Sequence, residues 1–315
     1  MIELTSMVYF LLDTHTRKIC SHSEECDIDQ YCDVENHKCA YGKIKCGQSF
    51  YKSRAKMVVN GNESIPHSRP WSVGLGSGWC RFCSGTLIGP RHVLTAAHCA
   101  VNHLSVKLGR HDCKKQVETG SKLIKVQNVT RHPDFWFDGY VSTHDIAILT
   151  LEEPVMFSTT ILPACLPFPN DVTYPKGYTN LTATAAGWGL TWGTGDQTKL
   201  NQVDLTVLPI ELCQYTKFAK EIEKDIGFPE GLSFINDSYA LCAGEYEAKE
   251  EYTGVQRGDS GSALIITNKK SNVIIGVAAM AVTRMDYPEQ PYFIYTDVKK
   301  FLPWIVETMA NDDVA

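Results

Sequence analysis

Arg257-Gly258-Asp259-Ser260-Gly261 is the last of three short frames in which a hydroxyl, an imidazole and a carboxylate stand in distinctive surroundings. The histidine frame is Leu94-Thr95-Ala96-Ala97-His98-Cys99, and between the two runs His144-Asp145-Ile146-Ala147-Ile148-Leu149. A serine hydroxyl is a poor nucleophile at neutral pH and needs an adjacent base to take its proton. Histidine suits that task because it titrates near operating pH. An aspartate behind the imidazole fixes its tautomer and stabilises the imidazolium that develops. Hydrolases built on a nucleophile elbow run in the order Ser, Asp, His. Here the order is His, Asp, Ser, and the elbow also fails locally because Ser262 stands where its second glycine is required. Alone, each frame reads as a structural histidine or an ordinary turn. Three frames in one order point to nucleophilic catalysis by Ser260.

Composition bounds the rest. At 315 residues the chain suits one large domain with a small appendage. Apolar residues make up 43% and charged residues 21%, which is the balance of a globular protein with a sizeable core. A net charge of -6, with lysines and arginines scattered rather than striped, gives no basis for nucleic-acid binding. No stretch is long enough to span a membrane. Twelve cysteines, an even number, point to an oxidising compartment. Sequons at Asn62, Asn128, Asn180 and Asn236 agree with secretion and mark candidate glycosylation sites. Met7 to Leu12 is a short apolar run without a basic flank and followed by Asp13, so residues 1–19 read as a poor or truncated signal segment.

Residues 20–46 are polar and cysteine-dense, with Cys20, Cys26, Cys32, Cys39 and then Cys46. So small a segment buries too little to hold itself, so disulfides must staple it into a loop-rich recognition module. Its first four cysteines allow three pairings, and spacing does not choose among them. Zinc is disfavoured by the wide spacings. Residues 47–57 are polar and basic and read as a linker. From Val58 to Ala315 the texture becomes short alternating apolar stretches broken by Gly and Pro, such as Trp71-Ser72-Val73-Gly74-Leu75 and Ser105-Val106-Lys107-Leu108. That pattern predicts an all-β barrel or sandwich. Near the end, Val298, Phe301, Leu302 and Ile305 recur at helical spacing around an awkward Pro303.

From Val58 onward the chain resembles the chymotrypsin/trypsin-like serine proteases. Besides the three frames, Val58-Val59-Asn60-Gly61, Cys83-Ser84-Gly85-Thr86-Leu87-Ile88, Ala186-Gly187-Trp188-Gly189 and Leu241-Cys242-Ala243-Gly244 are similar to family blocks. The resemblance implies an all-β fold of two six-stranded antiparallel β-barrels with a C-terminal helix and the active site in the cleft between barrels. It implies His98 as general base, Asp145 as its orienting carboxylate, Ser260 as nucleophile, and the N–H groups of Gly258 and Ser260 as oxyanion hole. It implies the disulfides Cys83–Cys99, Cys213–Cys242 and Cys46–Cys165, the last tethering the N-terminal segment after cleavage. Cys80 and Cys113 remain and are expected to join each other. No cofactor or metal is implied, and Arg110 stands where calcium-binding relatives carry a glutamate.

The family is made as a zymogen, whose new N-terminal amine pairs with the aspartate before the nucleophile. Here the pair would be Val58 and Asp259. The bond to be cut follows Met57, with Lys56 one place earlier, so a non-tryptic activating protease is expected. Pocket residues depart from the trypsin pattern. Gly254, six residues before Ser260, stands where trypsin-like enzymes place an aspartate, and Val255 resembles leukocyte elastases. Gln256 replaces a pocket cysteine. Ala279-Met280-Ala281 replaces Ser-Trp-Gly, which removes a serine that would hydrogen-bond the catalytic aspartate. Tyr292, in Pro291-Tyr292-Phe293-Ile294-Tyr295, brings bulk and one extra residue where a glycine normally keeps the pocket open. The pocket is expected to be reshaped and to favour small or medium apolar side chains. Between Cys213 and Cys242 an insertion containing residues 218–225 reads as a solvated charged helix, with a flap beside the cleft as the functional alternative. Glu245, Glu247, Glu250 and Glu251 crowd the loop before the pocket, as a solvated charge run or as a steering field for basic substrates.

The expected protein is a secreted serine endopeptidase, with protein or peptide substrates and an activating protease as partners. The alternatives are an inactive homologue acting as a binding or regulatory protein, and a function centred on a protein ligand of residues 20–46.

Overall fold

Alternation builds the first barrel. In β1, Ser72–Leu75, Val73 and Leu75 are buried while Ser72 and Gly74 are half-exposed, and β4, Ser105–Leu108, repeats the pattern. With β2, Cys83–Leu87, β3, His92–Thr95, β5, Lys122–Arg131, and β6, Ala147–Leu151, these strands form a closed antiparallel barrel in the order β6-β3-β2-β1-β4-β5. β3 and β6 break the alternation and are buried along their whole length. The cause is a helix, α3, Leu302–Asp312, packed outside them: Thr150 Oγ1 donates to Asp312 Oδ2, and His92 Nε2 lies 3.8 Å from the same carboxylate. Pro303 is the second residue of α3, in the first turn, where a missing N–H breaks no intrahelical bond. Val298 and Phe301 pack just ahead of the helix, and Leu302 and Ile305 are buried within it.

The second barrel comprises β7, Thr182–Gly187, β8, Asn201–Leu208, β9, Ala240–Gly244, β10, Ala263–Thr267, β11, Asn272–Ala281, and β12, Tyr292–Asp297. Its order is β7-β10-β11-β12-β9-β8, closed by pairing of β7 with β8, and the two-residue strand Asn62–Glu63 adds to β8. Its interior holds Ala183, Leu205, Leu264, Ile275, Phe293 and Tyr295. The fold is therefore two six-stranded antiparallel barrels with few helices.

This computed structural model describes residues 31–33, 38–40, 46–51, 62–76, 83–101, 104–115, 117–139, 141–167, 177–189, 198–228, 233–245, 258–268, 271–281 and 292–312. Within the cysteine-rich segment, Tyr31–Asp33 pairs with Lys38–Ala40, setting Cys32 opposite Cys39, while Cys20 and Cys26 lie outside the described residues. Cys46 is bonded to Cys165, Cys83 to Cys99 and Cys213 to Cys242. Cys113 is disulfide-bonded, and Cys80 lies outside the described residues. Cys46–Cys165 spans 119 residues, and a loop of that size removes on the order of 4–5 kcal/mol of unfolded-chain entropy. The start of the linker that follows is docked as well: Gly47 N–H donates to the Pro163 carbonyl at 2.7 Å and Ser49 Oγ to the Ser68 carbonyl at 2.9 Å. Among the described residues no helix is long and apolar enough to cross a membrane.

Between β8 and β9 come α1, Ile210–Gln214, and α2, Lys217–Asp225. Thr216 caps α2 by accepting the Ala219 N–H at 3.1 Å. The insertion is more than a solvated charged helix, because Ala219 and Glu223 are buried. The Glu223 carboxylate accepts from Lys220 Nζ at 2.7 Å and from the Ser233 hydroxyl at 2.5 Å.

One buried acid gives the fold a pH dependence. Asp297 is 6% exposed, and burial pushes its carboxyl up to about 6, against the lowering effect of the Lys299 N–H that donates to it at 3.0 Å. Its folded pKa exceeds the unfolded one, so the folded state favours the protonated acid. That contribution is fully present below about pH 4 and is lost as pH rises through about 6. Asp297→Asn keeps the oxygen that accepts the Lys299 N–H and is expected to raise stability at pH 8 by about 1–2 kcal/mol, with no gain at pH 4. Urea unfolding at both pH values checks this, and equal effects at the two would refute it.

Candidate active site

Each of the three frames lies at a strand end where the barrels meet. His98 sits on the short 3-10 turn Ala97–Cys99 that follows β3, pinned by the Cys83–Cys99 disulfide. Asp145 precedes β6 and is 1% exposed. Its Oδ2 is 2.6 Å from His98 Nδ1, and its Oδ1 accepts the His98 backbone N–H at 3.0 Å. A carboxylate facing Nδ1 requires the ring proton there, which leaves the lone pair on Nε2. The turn that aims Asp145 is made by His144, whose φ is 50° and whose ring stacks on Tyr239 at 4.8 Å and His132 at 5.7 Å. Thr296 Oγ1, from the second barrel, donates to the Asp145 carbonyl at 2.9 Å.

Ser260 comes from the second barrel, two residues after Gly258 and just before β10. Its carbonyl accepts the Ser84 N–H of the first barrel at 2.7 Å. Gly261, with φ +80°, lies so close to the first barrel that an added Cβ would stand 2.2 Å from Thr95 Oγ1 and 3.1 Å from Ala96 N. The Ser260 backbone is thereby brought, at the seam where the barrels meet, to the strand ends that flank the His98 turn, while His98 Nε2 lies 3.5 Å from Cys99 Sγ. Gly258 has φ +106°, a left-handed conformation that an L side chain rarely adopts.

Asp259 points away from this seam. Its Oδ1 accepts the Gly189 N–H at 2.7 Å. An added Cβ at Gly187 would lie 2.0 Å from that oxygen, and one at Gly189 would lie 2.5 Å from the carboxyl carbon. The glycines flanking Trp188 are thus dictated by the carboxylate that occupies their side-chain space. Asp259 also adds to burial in pushing the Tyr295 hydroxyl up. Val58, its expected partner, lies outside the described residues.

Of the expected pocket, Gly254 and Val255 lie outside the described residues, and Ala281 is described by its backbone alone. Ala279, Met280 and Tyr292 are half-buried on β11 and β12. The irregular register falls on β11, between Ala278 and Met280, while residues Tyr292–Thr296 stay regularly paired with β9. Tyr292, expected to bring bulk beside the pocket, is half-buried, while Phe293 and Tyr295 further along the strand are buried in the second barrel.

Ser142 is the residue that sequence reasoning missed. Its Oγ donates to Asp145 Oδ2 at 2.8 Å, the third donor on that carboxylate, while the expected serine of the substrate-binding strand is Ala279. Only the hairpin of Trp136–Phe137 with Ser142–Thr143 turns this hydroxyl inward. The same hairpin lays Phe137 over the His98 ring at 6.2 Å. Cys83, His98 and Cys99 come within 4.8 Å of one another, but both sulfurs are in one disulfide and offer no thiolate to a metal. In the loop after β4, Arg110 Nη2 donates to the Lys115 carbonyl, so a fixed cation occupies the loop where calcium-binding relatives place an acid. Asn128 and Asn180 are exposed, and Asn236 is half-buried with its Oδ1 accepting the Ser238 N–H at 3.0 Å. Asn62 is described by its backbone alone. A family model described as Trypsin matches residues 58–305 of the chain.

Proposed function

The chain belongs to the trypsin family, and on that premise we propose that it is a secreted serine endopeptidase made as a zymogen. The observation that carries the catalytic reading is the buried Asp145 carboxylate on His98 Nδ1 at 2.6 Å, beside the seam that holds Ser260. Ser260 Oγ attacks the scissile carbonyl carbon as His98 Nε2 takes its proton. The resulting imidazolium is held by Asp145, and the oxygen that gains charge faces the N–H groups of Gly258 and Ser260. Collapse breaks the C–N bond, and His98 delivers the proton to the leaving amine. Water then repeats the sequence on the acyl-enzyme and frees Ser260.

Activation proceeds by cleavage at Met57–Val58 by a non-tryptic protease. The Val58 amine pairs with Asp259, where a buried charge left alone would be costly. Gly254, Val255 and the aliphatic wall from Ala279 to Ala281 offer no carboxylate to a basic side chain, which supports a preference for small or medium apolar residues. The Cys46–Cys165 bridge keeps the N-terminal module attached after cleavage, where it is available to a protein ligand. Processed protein should begin at Val58 and be labelled at Ser260 by an organophosphonate. Correct processing without labelling would instead favour an inactive homologue that works by binding, a reading to which the loss of the usual pocket wall lends some support.

A further inference from the structure

His111 joins three segments, none of which contains His98, Asp145 or Ser260. Its ring is 4% exposed, and Nε2 lies 2.7 Å from Glu63 Oε1. Glu63 belongs to the short strand on β8, five residues beyond Val58. The His111 carbonyl accepts the Trp188 indole N–H at 3.0 Å and the Leu200 N–H at 2.9 Å. Its own N–H donates to Glu118 Oε2 at 2.8 Å. Trp188 stands between the two glycines that lie against Asp259. One residue therefore binds the stretch that follows the activation bond and the indole between the two glycines that lie against Asp259.

The direction of the side-chain bond is set by burial. Among the described residues His111 Nδ1 is buried without a hydrogen-bond partner, so the ring proton belongs on Nε2, where the Glu63 carboxylate accepts it. Glu63 is 55% exposed, and so open an ion pair adds little to global stability. Its effect is local. Five residues span at most about 18 Å, so wherever Glu63 is held, the reach of the Val58 amine is bounded. The His111 carbonyl already fixes the Trp188 indole and the Leu200 N–H, and the imidazole adds the link from that fixed frame to the activation strand.

We propose that His111 is a positioning residue for the activation ion pair, holding Glu63 so that the Val58 amine stays on Asp259 while Gly189 keeps its N–H there. The proposal rests on the reading that cleavage at Met57–Val58 pairs Val58 with Asp259. The test uses processed full-length protein, as wild type, Glu63→Ala, His111→Leu and His111→Gln. Three quantities are measured: the rate of carbamylation of the Val58 amine by cyanate, kcat and KM, and the alkaline limb of kcat. Glu63→Ala and His111→Leu should each speed carbamylation about two- to fivefold, the reach of a half-exposed ion pair, and lower kcat to match with KM unchanged. The alkaline limb should move to lower pH, toward the value near 8 of a free α-amine. His111→Gln, which still presents an N–H, should stay closer to wild type. Glu63→Ala alters an exposed side chain and remains readable if the His111 variants fail to fold. Wild-type protection of the amine that persists unchanged in Glu63→Ala overturns the role of His111. An amine that reacts as freely as a model peptide in the wild type overturns the Val58–Asp259 pairing, and this inference with it.

Discussion

Asp145→Asn is expected to lower kcat about ten-thousandfold while leaving KM and thermal stability near wild type. Asp145 Oδ2 faces His98 Nδ1 at 2.6 Å and Oδ1 receives the His98 N–H at 3.0 Å. An asparagine of the same size fits this space and keeps an oxygen for the backbone N–H. Its amide nitrogen then faces Nδ1 and can only donate. The ring proton must move to Nε2, which no longer has a lone pair for the Ser260 hydroxyl. The Thr296 Oγ1 bond to the residue-145 carbonyl survives, so the loop keeps its place. Steady-state kinetics with a thermal melt of the processed protein separates chemistry from folding. A loss smaller than about tenfold in a folded variant would remove Asp145 from the role given to it.

What was legible in the chain follows the range of the interactions concerned. The alternation of Val73 and Leu75 and of Val106 and Leu108 is local, and it announced strands correctly. Helical spacing at the C-terminus was equally local. Pro303 looked awkward only because the helix start could not be placed until Phe301 and Val298 were seen to precede it. Gly187-Trp188-Gly189 was recognisable as a block, yet its cause is a carboxylate some seventy residues away, since Asp259 fills the space of both missing side chains. Glu223 illustrates the opposite error. Its neighbours Glu221, Lys224 and Asp225 make the stretch look solvated, but Ser233 and Lys220 satisfy it in a buried position. Phe293 and Tyr295 follow Tyr292 in a stretch read for its bulk, and strand pairing on both sides turns these two into the second barrel. His111 and Ser142 carried no motif at all. Their partners are supplied by loop geometry that spacing does not encode.

Ser142 shows why the substitution at Ala279 need not weaken the site. A carboxylate 1% exposed must have donors, because an ionised group that loses its hydration without replacement is strongly disfavoured. Among the described residues Asp145 has three: the His98 backbone, the His98 ring and the Ser142 hydroxyl at 2.8 Å, which supplies from the neighbouring hairpin a donor that Ala279 cannot. Ser142→Ala deletes one charge-assisted hydrogen bond at a buried acceptor, a loss of about 1.5–3 kcal/mol, so kcat should fall at least tenfold. The fall should be in kcat rather than KM, since Ser142 is argued to act through Asp145 and not on the substrate. Coupling to Asp145 gives the stricter test. In an Asp145→Asn background there is no carboxylate for the hydroxyl to stabilise, so Ser142→Ala should then change kcat by less than about twofold. Additive losses in the two backgrounds would mean that Ser142 merely supports the hairpin, and that the buried carboxylate is held by the His98 donors alone.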